Sequence, residues 1–215
     1  MIVAGLATIP NRILQVHNTI QSLLPQVDKI NLSLNNYTDI PEVFKHDKID
    51  AQLTQGTDEQ KFRKVEGDIY LACDDDLIYP TNYVELIKQK LERFEIVSFH
   101  GRNFHSFPIQ SYYKSKCSKY RCLDKVAQDI QVQFAGTGCM AFKPERFMLT
   151  LKDLPRKYMA DIQVAIEAKK AGIYPVCLAH ESGWIQYQEV PNTIYDRFKN
   201  DDFEQTALVN KYFCE

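Results

Sequence analysis

Three consecutive carboxylates, Asp74, Asp75 and Asp76, are the residues in this chain whose type and spacing could do chemistry. They stand directly behind the apolar run Ile69 to Cys73. That run, with its β-branched and aromatic residues and the breaker Gly67 in front, reads as a short buried strand. Apolar residues resume at Leu77, and Pro80 then opens a helix. Adjacent aspartates on an open surface repel one another and gain nothing. At the carboxyl end of a buried strand they have one good use, which is to bind a cation. Side chains alternate along an extended chain, so Asp74 and Asp76 are expected on one side and Asp75 on the other. Two carboxylates at an open strand end suit a hard divalent ion, Mg2+ or Mn2+, that keeps positions open for substrate oxygens. The competing reading is an Asx-rich turn that caps the next helix.

Three further sites carry possible chemistry. Asp161 falls near the start of a helix, as a first-turn acid that complements the helix dipole or as a general base at a pocket rim. His180 follows the apolar run Val176 to Ala179, as a structural imidazole or as a third metal ligand beside Asp76. Gly136 to Ala141 formally matches the dinucleotide fingerprint G-x-G-x-x-G/A. That fingerprint needs a helix after its first glycines, whereas Met140 to Phe142 reads as strand, so a tight turn is expected. Gly136 and Gly138 would still let backbone approach a ligand closely. Cys117 and Cys122, with His100 and His105 nearby, match no standard zinc spacing.

The elements that must position these residues alternate. A strand over 2–7 leads through Thr8 to Arg12 into a helix with Ile13, Val16, Ile20, Leu23 and Leu24 on one face, ended by Pro25. Strands follow over 29–34 and 48–53, then a capped helix carrying Lys61, Phe62 and Val65. Next come the strand at 68–73, a helix from Pro80 to Arg93 and a strand over 95–99. This is βαβ alternation, the pattern of a mostly parallel sheet with helices on both faces. Ligands of such sheets bind beyond the carboxyl ends of the strands. Thr8 to Arg12, Asn35 to Tyr37, Asp58 to Lys61 and the triplet all fall at that edge and are expected to converge. The second half is less regular. It reads as a polar, aromatic loop or hairpin over 101–129, a strand over 130–135, a helix from Tyr158 to Ala171 stopped by Gly172, a strand over 173–178, and a polar tail with one helix.

The 215 residues set an expectation of one domain. The hydrophobic share of 45% and charged share of 25% are ordinary for a globular protein. A net charge of −2 gives no electrostatic case for nucleic acid or anionic membrane as partner. No run reaches the ~18 apolar residues a membrane span needs. The N-terminus lacks a basic region and reads as a strand, not a signal peptide. Six scattered cysteines suit buried free thiols in a reducing compartment, so a cytoplasmic location is expected. The tail carries no stop signal, which leaves room for a longer parent protein.

Ala7 to Arg12, Gln26 to Ile30, Leu34 to Tyr37, Lys61-Phe62 and Gly67 to Pro80 together resemble the GT-A-fold, nucleotide-sugar-dependent glycosyltransferases with an Asp-x-Asp motif, in a family-2-like form that builds surface glycans. The resemblance covers residues 1 to about 185. It implies a GT-A, Rossmann-like mixed sheet, a UDP-sugar donor, a glycan acceptor and Mn2+ or Mg2+. It also implies roles. Thr8, Ile9 and Arg12 would meet nucleobase or phosphates, with Asn35 and Lys61 supporting the nucleotide. Asp74 would face the ribose, with Asp75 counted in the same binding set, and Asp76 would hold the metal. Gly136 and Gly138 would line the sugar or acceptor pocket, Asp161 would be the base, and His180 would add a metal ligand. Ala160 stands where many family-2 members carry a glutamate before the base, which opens the question of inversion. Two other readings use the same residues. One is a metal-dependent phosphohydrolase or nuclease, with Asp161 and Glu181 as extra carboxylates. The other is a non-catalytic glycan-binding module using the aromatics of 104–113 and Trp184.

Overall fold

The computed structural model describes residues 1–191 and 193–214. Its strands and helices in chain order are β1 (Ile2–Thr8), α1 (Ile13–Leu23), β2 (Lys29–Asn35), β3 (Ile49–Thr54), β4 (Ile69–Cys73), β5 (Leu77–Ile78), α2 (Tyr83–Leu91), β6 (Ile96–Ser98), β7 (Gly101–Phe104), β8 (Cys117–Tyr120), β9 (Ile130–Gln131), β10 (Phe134–Ala135), β11 (Cys139–Phe142), α3 (Ala160–Lys170), β12 (Val176–Cys177), β13 (Gln186–Tyr187), α4 (Ile194–Phe198) and α5 (Phe203–Phe213). The protein is α/β with a mixed, mostly parallel eight-stranded sheet, in the order β3-β2-β1-β4-β11-β6-β12-β9. β11 runs antiparallel to β4 and β6, and β9 antiparallel to β12; the other pairs are parallel.

Side-chain alternation along the central strands builds a core on each face. Ala4 and Leu6, Leu71 and Cys73, and Ala141 pack with Val16, Ile20 and Leu23 of α1 and Ile87 and Leu91 of α2. Val3, Tyr70, Ala72, Met140 and Phe142 point the other way, against Val164 and Ala168 of α3. α3 is buried on a second side too. Ile162, Ala165 and Ile166 pack with Phe134 and Phe104 of the small β10-β7-β8 sheet, with Tyr112 from the β7–β8 connection, and with Leu208 and Val209 of α5. Among the described residues no helix is long and apolar enough to cross a membrane.

Several expectations change at this level. The alternating run 130–135 is two short strands in different sheets, since β9 joins the large sheet and β10 the small one. Val132 N bonds Pro175 O and Gln133 N bonds Asn103 Oδ1, so the chain crosses between sheets at that point. The segment carrying Lys61 is a 3-10 turn, Asp58–Phe62, not a longer helix. The 101–129 stretch is a hairpin of β7 and β8, but its tip is not simply solvated, because Tyr112 and Ile109 are buried. The tail holds two helices and a strand. α5 is pinned to the hairpin by Asn210, which accepts from Ile109 N at 2.8 Å and donates to Ile109 O at 2.9 Å.

Candidate functional site

Strand order reverses between β1 and β4, since β2 and β3 lie on one side of β1 and β4 with later strands on the other. That switch point is where open α/β sheets bind ligands. Register then dictates the neighbours. Leu6 pairs with Cys73, so the next residues bring Thr8 level with Asp75, and Thr8 Oγ1 donates to Asp75 Oδ2 at 2.7 Å. Cys139 pairs with Cys73 across an antiparallel ladder, so Gly138 sits level with Asp74, and Asp74 N donates to Gly138 O at 3.1 Å. Asn35 pairs with Thr54 and gathers the loop after β3. Its Oδ1 accepts from Thr54 Oγ1 at 2.8 Å and Gly56 N at 3.0 Å, and its Nδ2 donates to Thr57 O at 3.0 Å.

These strand ends enclose a cleft of about 750 Å3. Thr8, Ile9, Arg12, Asn35, Lys61 and all three aspartates line it. The expected convergence of four polar stretches is therefore present. The alternation argument for the triplet is not. The chain leaves the strand at Asp74 and turns, so Asp75 is not turned away. Asp75 is instead the most firmly held of the three, buried between Thr8 Oγ1 and Arg12 Nη1 at 2.9 Å.

Lys61 and Arg12, two of the cations that line the cleft, are committed to carboxylates. Lys61 is buried and its ammonium group contacts Asp74 Oδ1. Burial works against the Lys61 charge, but Asp74 and Asp58 outweigh it and raise its pKa. Gly5 makes room for this arrangement. A Cβ there would strike the Lys61 carbonyl and the Tyr70 hydroxyl, and Tyr70 Oη donates to Lys61 O at 2.6 Å. Arg12 lies 3.9 Å from Asp76 Oδ2. Among the described residues nothing donates a hydrogen bond to the Asp76 carboxylate, which burial first, and then the charges of Asp74 and Asp75, push up to about 8. Asp75 is raised by burial, against the pull of Arg12. Asp58, which accepts from Ala160 N at 3.1 Å, is raised by burial to about 6.

A carboxylate in a half-buried site with two like neighbours and no donor is costly unless a cation joins it. The oxygen donors are hard, which fits Mg2+ or Mn2+ better than a soft metal. Among the described residues no three His, Cys, Asp or Glu side chains form a ready-made cage. The residues thus fit an ion that takes much of its shell from ligand and water, at an open site.

His180 is not part of that site. Its Nδ1 lies 2.7 Å from Leu178 O and its Nε2 3.2 Å from Arg121 O, while its ring packs edge-on against Phe99. With both nitrogens facing carbonyls and the ring away from the cleft, the structural reading of this histidine holds. Asp161 does not line the cleft, but it is connected to it. Its Oδ1 accepts from Thr137 N at 2.8 Å and Thr137 Oγ1 at 2.7 Å. Thr137 leads directly to Gly138, where a Cβ would collide with the Asp74 carboxylate. Gly136 faces the ring of His100. The Gly136–Gly138 segment is a turn into β11, so the dinucleotide fingerprint is absent as a structure. Cys117 and Cys122 are free thiols on separate elements. Glu181 is exposed and pairs with Lys125 at 3.0 Å. Trp184 packs on Phe99 and Tyr83.

Sequence reasoning missed one wall of the cleft. Residues 193–197, in and around α4, line it as well. Arg197 lies 4.4 Å over the Tyr158 ring and donates to Tyr158 Oη at 3.1 Å. Asn36 and Tyr158 both line the cleft with positive φ, at 60° and 62°. Asparagine tolerates that region; for a bulky tyrosine it costs of order 1–3 kcal/mol and is held by the surroundings, here by Thr57 Oγ1 accepting from Tyr158 N at 3.0 Å. No signal in the tail's polar composition marks it as a wall. No protein-family model matches the chain, and no curated protein matches it.

Proposed function

We propose that this chain is a metal-dependent glycosyltransferase that moves a sugar from a nucleotide-sugar donor of the UDP-sugar class to a glycan acceptor. The observation that supports this best is the triplet at the strand-order switch, facing a cleft of about 750 Å3 with Arg12 and Lys61 in the same wall. The volume suits a ligand of nucleotide-sugar size. The GT-A likeness of the sequence points the same way, and a mostly parallel α/β sheet is compatible with it.

The chemical problem is departure of a nucleoside diphosphate from an anomeric carbon. The bond from that carbon to the phosphate oxygen breaks, and its electron pair leaves with the diphosphate. A bond to the acceptor oxygen forms, and the acceptor hydroxyl gives up its proton. Asp76 is the residue that would hold a divalent ion, whose chemistry when bound is Lewis-acid neutralisation of the leaving diphosphate, worth several kcal/mol. Arg12 and Lys61 supply fixed positive charge to the same oxygens. Thr8 holds Asp75, and through it Arg12, in place. Asp161, held behind the cleft wall by Thr137 and not in its lining, is the carboxylate that would take the acceptor proton, a role worth roughly 100- to 10,000-fold in rate. The Thr137 bonds orient its carboxylate through Oδ1.

The test is product analysis with Mn2+, a panel of nucleotide sugars and glycan acceptors. Nucleoside diphosphate and extended glycan are expected in equal amounts. Inorganic phosphate released from phosphoesters without an acceptor would instead support the phosphohydrolase reading.

A further inference from the structure

The β7–β8 hairpin and the residues after it concentrate positive charge in a chain whose net charge is −2. Residues 114–125 hold Lys114, Lys116, Lys119, Arg121 and Lys125 against the single acid Asp124. Of these cations only Lys125 forms a salt bridge among the described residues, with Glu181 at 3.0 Å. The connection between β7 and β8 folds around a second cavity, of about 320 Å3, which shares no lining residue with the carboxylate cleft. Its lining falls within residues 106–116, with Lys114 and Lys116 as its charges and no carboxylate.

Local hydrogen bonding turns donors toward this pocket. Ser115 Oγ accepts from Gln110 N at 3.0 Å and from Ser111 N at 2.9 Å. Both of its lone pairs are then used, and its O–H is left to donate, with no acceptor among the described residues. Asp202 lies close enough to Lys114 for the two charges to act on each other. Its carboxylate is engaged by Ser111 Oγ at 2.5 Å, Tyr113 N at 2.9 Å and Thr206 Oγ1 at 3.1 Å. Two ammonium groups against that one carboxylate leave the pocket positive. The floor is fixed, since Ile109 is bonded both ways to Asn210 and Phe107 stacks on Phe213 at 5.8 Å. Donors held in place bind an anion without a further ordering cost. The pocket also adjoins the cleft. Tyr113, next to Lys114, packs edge-on against Tyr195 at 5.4 Å, and Tyr195 lines the cleft.

We propose that this pocket binds an oxyanion group, carboxylate or sulfate, carried by a glycan that runs from the cleft across Tyr195 and Tyr113, so that the chain prefers acidic glycans to neutral ones. A concave pocket of donors suits one substituent on a sugar, whereas a flat basic face would suit an anionic membrane. That the glycan is the acceptor rests on the transferase reading; anion binding by Lys114, Lys116 and Ser115 does not.

Calorimetry at about 0.15 M salt, where distant surface charges are screened, tests this with tetragalacturonate, a chondroitin sulfate tetrasaccharide and neutral maltotetraose. At least one acidic probe is expected to bind wild-type about tenfold more tightly than maltotetraose, from two exposed ion pairs. The double variant Lys114→Ala with Lys116→Ala is expected to lose that preference. Lys88→Ala, at an exposed lysine of α2, is expected to keep it, and circular dichroism checks that both variants are folded. No binding, equal binding of acidic and neutral probes, or a preference that survives in the double variant would overturn the proposal. Inorganic sulfate bound as tightly as the acidic probes would also overturn it, since the glycan would then contribute nothing. So would capture by phosphatidylserine vesicles of a chain that ignores the oligosaccharides. UDP-glucose with Mn2+ is titrated in parallel. Failure to bind it, with the acidic preference intact, sinks the transferase reading and leaves the role of the pocket standing.

Discussion

Asp76 has Arg12 at 3.9 Å and no hydrogen-bond donor among the described residues, and this sets its pH behaviour. In the unfolded chain its carboxyl ionises near 4; in the folded chain, burial and the neighbouring aspartates hold it up to about 8. The folded state therefore binds the extra proton between those values. Its contribution to stability is full below about 4 and is lost as pH rises toward 8. The melting temperature of the free chain is expected to fall between pH 5 and pH 8, and Asp76→Asn is expected to flatten that fall. An unchanged slope in the variant would remove Asp76 as its source. Gly138 is a second residue with a sharp expectation. A methyl group there would push into the Asp74 carboxylate. Gly138→Ala is expected to weaken nucleotide-sugar binding by about tenfold or more while the chain stays folded, read by calorimetry and circular dichroism. The place of the triplet at the end of β4 was legible in the sequence, but the contacts that hold its members were not. Alternation assumes that the strand continues, and here the backbone turns at Asp74, which delivers Asp75 to Thr8 and Arg12.

Elements of the first hundred residues were readable because each carries one period of burial. β1 and β4 are largely apolar runs buried on both faces, β2 alternates Ile30, Leu32 and Leu34 with polar residues, and α1 shows a single apolar stripe. The second half defeats that logic for physical reasons. α3 is buried on opposite sides by two sheets, so its stripe is blurred. β9 and β10 are each two residues long, shorter than any alternation signal. The tail is polar because it touches the body through side-chain hydrogen bonds as much as through apolar faces. Asp202 accepts from Ser111 Oγ at 2.5 Å and Tyr113 N at 2.9 Å, and Thr206 Oγ1 accepts from Tyr112 N at 2.9 Å. Asn210 is the clearest single tie. Asn210→Ala would strand the Ile109 amide and carbonyl in a partly buried place, and a loss of about 1–3 kcal/mol is expected in chemical denaturation. α4 leaves its mark on the cleft through Arg197. Arg197→Ala removes the cation from the Tyr158 ring and is expected to weaken donor binding, with little change in unfolding midpoint. A large stability loss with unchanged binding would make the contact a structural one.

For the whole molecule, the site follows from topology more than from any one motif. β1 and β4 are neighbours at the point where strand order reverses, and an antiparallel β11 lies beside β4. That order places the ends of β1, β2 and β4, the loop after β3 and the turn before β11 around one cleft. Asp161 joins this assembly through Thr137, and His180 stays with the carbonyls of Leu178 and Arg121. A lone histidine after an apolar strand carries no signal that separates those two outcomes. In the proposed function, Asp76 makes nucleotide-sugar binding depend on a divalent cation. Calorimetry of a nucleotide-sugar panel against wild-type and Asp76→Ala, with and without Mn2+, tests it most directly. A UDP-sugar is expected to bind wild-type far more tightly with Mn2+, and the folded variant is expected to lose this dependence. Binding that is the same with and without Mn2+, or a Mn2+ dependence that survives in Asp76→Ala, would contradict it.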